Sequence, residues 1–226
     1  MQPSVVTRAR PGWPEVLVGA LAYLVAIVVT VVLLRAIPDD QDVFSGLAAL
    51  ALSGVIGLAA FAAAFVIRIR TLAPFGFRRT TGKWLLAGAG GGLLCFLLGL
   101  VVSGLYVAFT GDSENIQADY QSAADGGALA LVATLLFGAV LTPLGEESYF
   151  RGVLANGLER YGPWVSVLVS AAVFAVAHGI NPVMPVAFTV GVVTALLFRR
   201  TGSLWPGVFV HAVNNALAAT VPLFFS

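Results

Sequence analysis

The sequence predicts an all-α membrane protein, a polytopic bundle of about seven transmembrane helices. Hydrophobic residues make up 59% of the 226-residue chain and charged residues only 10%, whereas a soluble domain carries about 25% charged residues. The apolar residues also form continuous runs close to the ~20 residues that a helix needs to cross a bilayer. The formal net charge is +1 and no basic stripe is present, so we expect no nucleic-acid partner.

Seven segments of the chain are predicted to span the membrane. They are residues 16–37, 43–67, 84–109, 128 to about 160, 164–180, 183–198 and 204–225. The first run is longer than the about 7–15 apolar residues of a secretory signal, so we predict a first span rather than a cleaved segment. The fourth is too long for one crossing, and its end is expected to project into the aqueous boundary. Asn181-Pro182 predicts a tight turn between the short fifth and sixth segments.

The charged residues predict the orientation of these spans. Basic residues fall on one side of a seven-span arrangement: Arg8, Arg10, Arg68, Arg70, Arg78, Arg79, Lys83, Arg160, Arg199 and Arg200. Acidic residues collect on the other side: Asp39, Asp40, Asp42, Asp112, Glu114, Asp119 and Asp125. Because basic loops stay in the cytoplasm, we expect a multi-pass protein with a cytoplasmic N-terminus and an external C-terminus. Arg35, near the outer boundary, is expected to snorkel.

We predict one transmembrane domain in which the first and second parts of the chain have different roles. Residues 1–127 provide scaffold helices and an external loop, 111–127, which we expect to be partly ordered and to help gate a cavity. Gly88 and Gly92 are one helical turn apart and predict a close helix-packing face. Residues 128–219 carry the polar groups, within the later four helices of the bundle.

Three charged residues lie away from the ends of the predicted spans and are left without a side: Glu146, Glu147 and Arg151. An ionisable group inside a bilayer costs several kcal/mol unless it is paired or faces a polar cavity, so such residues indicate function. Glu147 and Arg151 stand at i and i+4, the better orientation for a helical ion pair. Pro143, which lacks an N–H, is expected to disturb the helix just before them.

The two histidines of the chain are predicted to meet these carboxylates. Gly162-Pro163 predicts the turn between the fourth and fifth spans. Glu146 and His178 are equidistant from this turn, about 24 Å along their helices, and therefore lie level. His211 rises roughly 16 Å from the basic end of its own helix, with Asn215 one turn further. We therefore expect one polar cluster inside the membrane.

Two chemistries remain open for this cluster. Glu146, His178 and His211 are one predicted zinc-ligand set, since two His and one Glu form a known catalytic zinc site whose bound water attacks a carbonyl. Alternatively, Glu146 and His178 activate water without a metal, while His211 and Asn215 stabilise the oxyanion. The chain lacks a His-Glu-x-x-His stretch, and its serines have no triad context.

Three motifs on successive spans resemble one known family. They are Glu146-Glu147-x-x-x-Arg151, Phe174-x-x-x-His178 and His211-x-x-x-Asn215. In this order they resemble the CAAX-protease and bacteriocin-processing (CPBP) family of intramembrane proteases, over residues 128–219. The combination is specific, although each motif alone is weak.

The resemblance implies a role for each motif residue. Glu146 would be the general base or a metal-associated carboxylate, and Glu147 and Arg151 would support it. The remaining residues would hold the water and the oxyanion: His178, His211 and Asn215. The family is usually described as metal-dependent, and a metal-free mechanism has also been argued for some members.

The first hypothesis for function is an intramembrane endopeptidase of CAAX or peptide-processing type. Its partners would be membrane lipids and a peptide or lipid-modified protein substrate. The second is a non-catalytic membrane scaffold or bacteriocin-immunity-type protein that uses the cavity for binding. The third is a proton-coupled transporter with a Glu–His relay, which ranks last because the spans show no inverted repeat.

Overall fold

The structure is a computed structural model that describes residues 10–38 and 40–225. Arg8 and Asp39, which the sequence assigned to opposite sides of the membrane, lie outside these ranges. Every regular element in the described part of the chain is a helix, which confirms the all-α prediction. Large apolar side chains cover the outside of the bundle; Leu86, Phe109 and Leu129 are each at least 75% exposed. Such a surface suits lipid rather than water.

Eight helices make up the bundle within the described residues. They are α1 (Trp13–Leu34), α2 (Asp42–Ile67), α3 (Gly82–Thr110), α4 (Ala118–Asp125), α5 (Ala128–Tyr161), α6 (Pro163–Ala177), α7 (Met184–Thr201) and α8 (Trp205–Thr220). Six of them are long and apolar enough to cross a membrane. The structure therefore confirms a polytopic helical bundle.

Two elements differ from the simple seven-span prediction. The fifth predicted span is α6, which has only 15 residues and is therefore about 22 Å long, short of a ~30 Å hydrocarbon core. The predicted external loop contains a helix of its own, α4, which packs on α2 because Gly46 has no side chain to collide with Asp119. The expectation of a partly ordered loop is thus confirmed.

Helix α5 carries the central carboxylates and is not a uniform α-helix. Two π-helical segments, Phe137–Leu141 and Phe150–Ala155, flank an α-helical stretch, Thr142–Tyr149. Pro143 follows the first π segment, and its missing N–H accounts for the irregular hydrogen bonding there. Single π turns inside helices are frequent at functional sites. The irregular turns therefore bracket the stretch that bears Glu146 and Glu147.

Helices α2 and α5 cross in close contact beside Glu146. A Cβ atom at Gly145 would overlap the carbonyl oxygen of Gly54, and a Cβ atom at Gly57 would overlap the backbone of Gly145. Only glycine at these positions lets the two backbones approach so closely. The crossing places Ser53 of α2 at the level of the α5 carboxylates.

The predicted glycine face of α3 packs against α8. A Cβ atom at Gly88 would lie 2.5 Å from the carbonyl oxygen of Pro206, and one at Gly92 would lie 2.5 Å from that of Val210. Both distances are shorter than any relaxed contact, so the two helices touch backbone to backbone along this face. The prediction made from the Gly88 and Gly92 spacing is confirmed.

Gly92→Ala is expected to destabilise the protein by about 1–3 kcal/mol, because the added methyl group overpacks the contact with α8. Gly90 gives a matched control on the same helix, since a Cβ atom there meets nothing within 4 Å. Gly90→Ala should leave stability unchanged or raise it by up to about 1 kcal/mol through better helix propensity. Thermal unfolding of both variants in detergent measures the difference. Equal midpoints would contradict the close packing of α3 on α8.

One end of the bundle, here called the arginine end, holds paired arginines and glutamates. Arg68 contacts the fully buried Glu15 at 2.9 Å, and Arg199 contacts Glu159 at 2.7 Å. The hydrogen bond and charge of Glu15 raise the pKa of Arg68. From the sequence, the acidic residues outside the central cluster were expected at the end opposite the arginines. Glu15 and Glu159 were not assigned to either end. The structure corrects this, because both serve as counter-ions to arginines.

A packed apolar layer lies between the arginine end and the central carboxylates. A short helical turn, Ala73–Phe75, inserts a fully buried Phe75 whose ring lies 5.2 Å from that of Phe61. Phe150 and Leu204 are 1% exposed in the same region. Such side chains interlock at the density of an organic crystal, so the layer closes this end of the bundle.

Candidate active site

A cavity of about 580 Å³ occupies the half of the bundle opposite the arginine end. Helices α2 to α8 all contribute to its wall. Apolar residues of α3 and α7 form one side, including Phe96, Val186 and Val190, and polar residues of α5 and α8 form another. The volume lies within the range of about 300–1,000 Å³ that is typical of ligand sites.

Glu146 is a buried carboxylate at the wall of this cavity, 3% exposed. The Ser53 hydroxyl donates a hydrogen bond of 3.0 Å to its Oε1 atom. Its Oε2 atom lies 3.7 Å from Nε2 of His211 and has no hydrogen-bond partner among the described residues. Ser53 therefore holds one oxygen, while the other is buried without a hydrogen-bond partner among the described residues.

Glu147 and Arg151 form the ion pair that the spacing predicted. Oε1 of Glu147 lies 3.2 Å from Nη1 of Arg151 and 3.4 Å from Nδ1 of His211, and all three side chains are buried. These are close charge contacts rather than aligned hydrogen bonds. A Cβ atom at Gly207 would lie 2.9 Å from Oε2 of Glu147, so glycine makes room for this carboxylate. His211 thus stands between the two adjacent glutamates, with one ring nitrogen towards each.

The aromatic ring of Phe174 joins the polar groups together. Its centroid lies 4.5 Å from the guanidinium carbon of Arg151, 4.6 Å from the ring of His178 and 5.7 Å from the ring of His211. A guanidinium over an aromatic face is attracted by the ring quadrupole. Phe174, a residue of the second motif, therefore contacts both histidines and Arg151.

The hydrogen bond of His178 fixes its tautomer. Nδ1 lies 2.8 Å from the carbonyl oxygen of Phe174. Because a carbonyl oxygen only accepts, Nδ1 carries a proton, and Nε2 of the neutral ring is an acceptor. The side chain is half-buried and lines the cavity. His178 therefore presents a hydrogen-bond acceptor, and when protonated a donor, to the same space as Glu146.

The asparagines of α8 extend the polar wall. Asn215 donates a hydrogen bond of 2.9 Å to the carbonyl oxygen of Gly138 and accepts one of 3.2 Å from Asn214. Asn214 is more buried, and its Oδ1 atom has no partner among the described residues. The sequence named Asn215 and missed Asn214. The i+3 spacing of Asn214 from His211 was the signal that could have identified it.

The predicted zinc set is only partly assembled. Glu146 and His211 approach each other, and His178 has the carbonyl-bound Nδ1 that is typical of metal-binding histidines. Within residues 10–38 and 40–225, however, no three His, Cys, Asp or Glu side chains are grouped closely enough to hold a metal ion. The described geometry does not fit a three-ligand zinc site, so zinc binding stays a prediction.

The fold and the site together define a class of protein, a polytopic helical membrane protein with a buried glutamate–histidine centre. Residues 128–217 match the family model described as Rce1-like, "Type II CAAX prenyl endopeptidase Rce1-like". The match includes all three motifs that carry the glutamates and histidines. The family resemblance predicted from those motifs is confirmed over this segment.

Two curated relatives are similar to part of the chain. UPF0177 protein YaiH of Lactococcus lactis subsp. lactis (strain IL1403) is 31% identical over 87 residues, covering 38% of this chain and 36% of that protein. An uncharacterized 24.3 kDa protein of Escherichia coli is 32% identical over 93 residues, covering 38% of this chain and 43% of that protein. The chain thus spans less than half the length of these relatives. No solved structure matches it.

Proposed function

We propose that the protein is an intramembrane endopeptidase that hydrolyses a peptide bond of a membrane-associated peptide or lipid-modified protein. The observation that carries the proposal is Glu146, a buried carboxylate at the wall of a cavity among apolar helices, with one oxygen that has no hydrogen-bond partner in the described part of the chain. An ionisable residue at such a position is expensive to bury and indicates chemistry rather than packing. The Rce1-like match over residues 128–217 supports the same reaction class.

In the proposed reaction, a water molecule binds between Oε2 of Glu146 and the carbonyl carbon of the substrate. Glu146 takes a proton from the water as the hydroxide oxygen forms a bond to that carbon. The carbonyl oxygen becomes an oxyanion, which an amide N–H of Asn215 and, in the imidazolium form of the ring, the Nε2–H of His211 stabilise. The C–N bond then breaks, and the departing amine takes the proton from Glu146. The products are one carboxylic acid and one amine.

The supporting groups hold this arrangement in place. Asn215 uses one amide hydrogen on Gly138 and retains a second for the oxyanion. Glu147 faces Nδ1 of His211 and fixes the direction of the ring, while Arg151 balances the charge of Glu147. In this proposal Glu147 and Arg151 are positioning residues, because neither lines the cavity.

Cleavage of membrane-inserted peptides by the purified protein tests the proposal. The protein is reconstituted in liposomes with a library of apolar peptides, and products are identified by mass spectrometry. In ¹⁸O-labelled water, hydrolysis places one heavy oxygen in the new carboxylate. The Glu146→Gln variant is the inactive reference. If the wild type cleaves the library no better than this reference does, the result would favour the second hypothesis, a non-catalytic binding protein.

Ser53→Ala is expected to lower kcat about tenfold or more, because a hydrogen bond to a charged group contributes about 1.5–3 kcal/mol. Ser53→Thr keeps the hydroxyl group and should restore most of the rate. Ser45 on the same helix gives a matched control, since its hydroxyl bonds to Asp119 outside the cavity. Ser45→Ala should leave kcat unchanged. Equal values of kcat for Ser53→Ala and Ser45→Ala would show that the Ser53 hydroxyl does not contribute to catalysis.

A further inference from the structure

We propose that the cavity is entered from the end of the bundle that carries α4, and that this end faces away from the cytoplasm. Its substrates would then be apolar peptide segments presented from the extracytoplasmic side or from the surrounding lipid. That the molecule in the cavity is a substrate rests on the proposed function. The side from which the cavity is entered does not depend on that function, because it follows from the position of the cavity and the distribution of charge.

The cavity lies entirely on one side of the catalytic cluster. On α3 it is lined between residues 96 and 107, in the second half of the helix. On α7 the lining residues end at Val190, in the first half of the helix. On α8 they begin at His211 and continue through the second half of the helix. Helices α3 and α8 run in one direction and α7 runs in the other, so all these halves lie at the same end of the bundle. That end is the one opposite the arginines.

The route from the arginine end is closed by packed side chains. Phe75, Phe150 and Leu204 are each at most 1% exposed, and none of them lines the cavity. A Cβ atom at Gly152 would lie 2.8 Å from the backbone oxygen of Phe75, which shows how tightly this turn is seated. A peptide could enter from here only by displacing a close-packed layer.

The rim at the α4 end is polar and partly exposed. Gln117, Tyr120 and Gln121 line the cavity there and are half-buried. Burial, and then the charges of Glu146 and Asp119, raise the pKa of Tyr120. Tyr120 of α4 and Glu146 of α5 line the same cavity.

A second part of the rim faces lipid. Leu100 lines the cavity and is 62% exposed on the outer surface of α3. Gly104, one turn further along, also lines the cavity and has no atom within 4 Å of the position of a Cβ. An apolar segment in the bilayer therefore has a lateral approach to the cavity at the same end.

The charge distribution assigns this end to the extracytoplasmic side. Apart from Arg35 and Arg151, the described basic residues lie at the other end: Arg10, Arg68, Arg70, Arg78, Arg79, Lys83, Arg160, Arg199 and Arg200. The α4 end carries acidic residues: Asp40, Asp42, Asp112, Glu114, Asp119 and Asp125. By the positive-inside rule, the arginine end is cytoplasmic. A lipid-modified terminus approaching from the cytoplasm would meet the packed layer rather than the cavity.

Labelling of single cysteines tests this proposal without measuring cleavage. The chain has one cysteine, the fully buried Cys95, which is replaced by alanine. Ser103→Cys then reports on the cavity, Ser113→Cys on the exposed loop at the α4 end, and Thr71→Cys on the arginine end. Right-side-out membrane vesicles of a bacterial host are treated with a membrane-impermeant maleimide, before and after permeabilisation.

We expect Ser103→Cys and Ser113→Cys to be labelled in sealed vesicles and Thr71→Cys only after permeabilisation. Labelling of Thr71→Cys in sealed vesicles, with Ser113→Cys protected, would overturn the orientation. Labelling of Ser113→Cys without Ser103→Cys would overturn entry from the α4 end. Failure to hydrolyse any peptide would count against the proposed function and would leave these labelling results unchanged, so the two proposals fail separately.

Discussion

Glu146→Gln is expected to lower kcat for peptide hydrolysis by about 10²–10⁴-fold, the range for loss of a general base. Glutamine has almost the same shape and still offers an oxygen to Ser53, so the fold should be retained. It cannot take a proton from water, because its amide is not basic. Single-turnover cleavage of the best peptide substrate measures the rate, and thermal unfolding in detergent checks that the variant is folded.

Glu114→Gln is the matched control for this variant. Glu114 is exposed in the loop before α4 and does not line the cavity, so the same chemical change there should leave kcat unchanged. A Glu146→Gln protein that hydrolyses peptides at the wild-type rate would contradict the proposed role. The acceptor nitrogen of His178 would then be the next candidate for the base.

Arg151→Met is expected to destabilise the protein by about 3–5 kcal/mol, because it leaves Glu147 buried without its counter-ion. Both side chains are at most 1% exposed, so water cannot compensate for the missing charge. Methionine fills most of the space of the arginine and keeps a contact with Phe174. The free energy of unfolding in mixed micelles, measured over a series of denaturing detergent fractions, gives the loss.

Arg199→Met provides the comparison for this prediction. Arg199 pairs with Glu159 at the arginine end, where the side chains are 37% and 24% exposed. Breaking an ion pair at such a surface should cost no more than about 1 kcal/mol. The double variant Glu147→Gln/Arg151→Met should recover part of the stability lost in Arg151→Met, because no charge is left unpaired. Similar losses for Arg151→Met and Arg199→Met would refute the buried-pair interpretation.

The features that the sequence predicted correctly depend on short stretches of chain. Apolar runs locate the long helices because the bilayer demands them. The Glu147–Arg151 contact follows from i, i+4 geometry alone, and so does the glycine face at Gly88 and Gly92. Each of these could be read within one helix, without knowing how the helices are arranged.

The features that were missed depend on how helices are placed against one another. Ser53 reaches Glu146 from a helix 93 residues away, through the glycine crossing of α2 and α5. Asn214 differs from Asn215 by about 100° around α8, and only the rotation of that helix decides which side chain is buried. The burial of Glu15 likewise depends on tertiary structure, because α2 brings Arg68 back to the start of α1, where it pairs with Glu15.

The Glu147–Arg151 contact also bears on how the polypeptide enters the bilayer during synthesis. A single charge at the centre of an inserting helix costs about 2.5–3.5 kcal/mol on the translocon scale. Both members of this pair lie on α5 at i and i+4, so they meet as soon as that helix forms and need no contact from α6, α7 or α8. The nascent helix can therefore leave the translocon with these two charges already neutralised. His211 and Gly207 lie on α8, the last helix, and pack against Glu147 after the Glu147–Arg151 pair has formed.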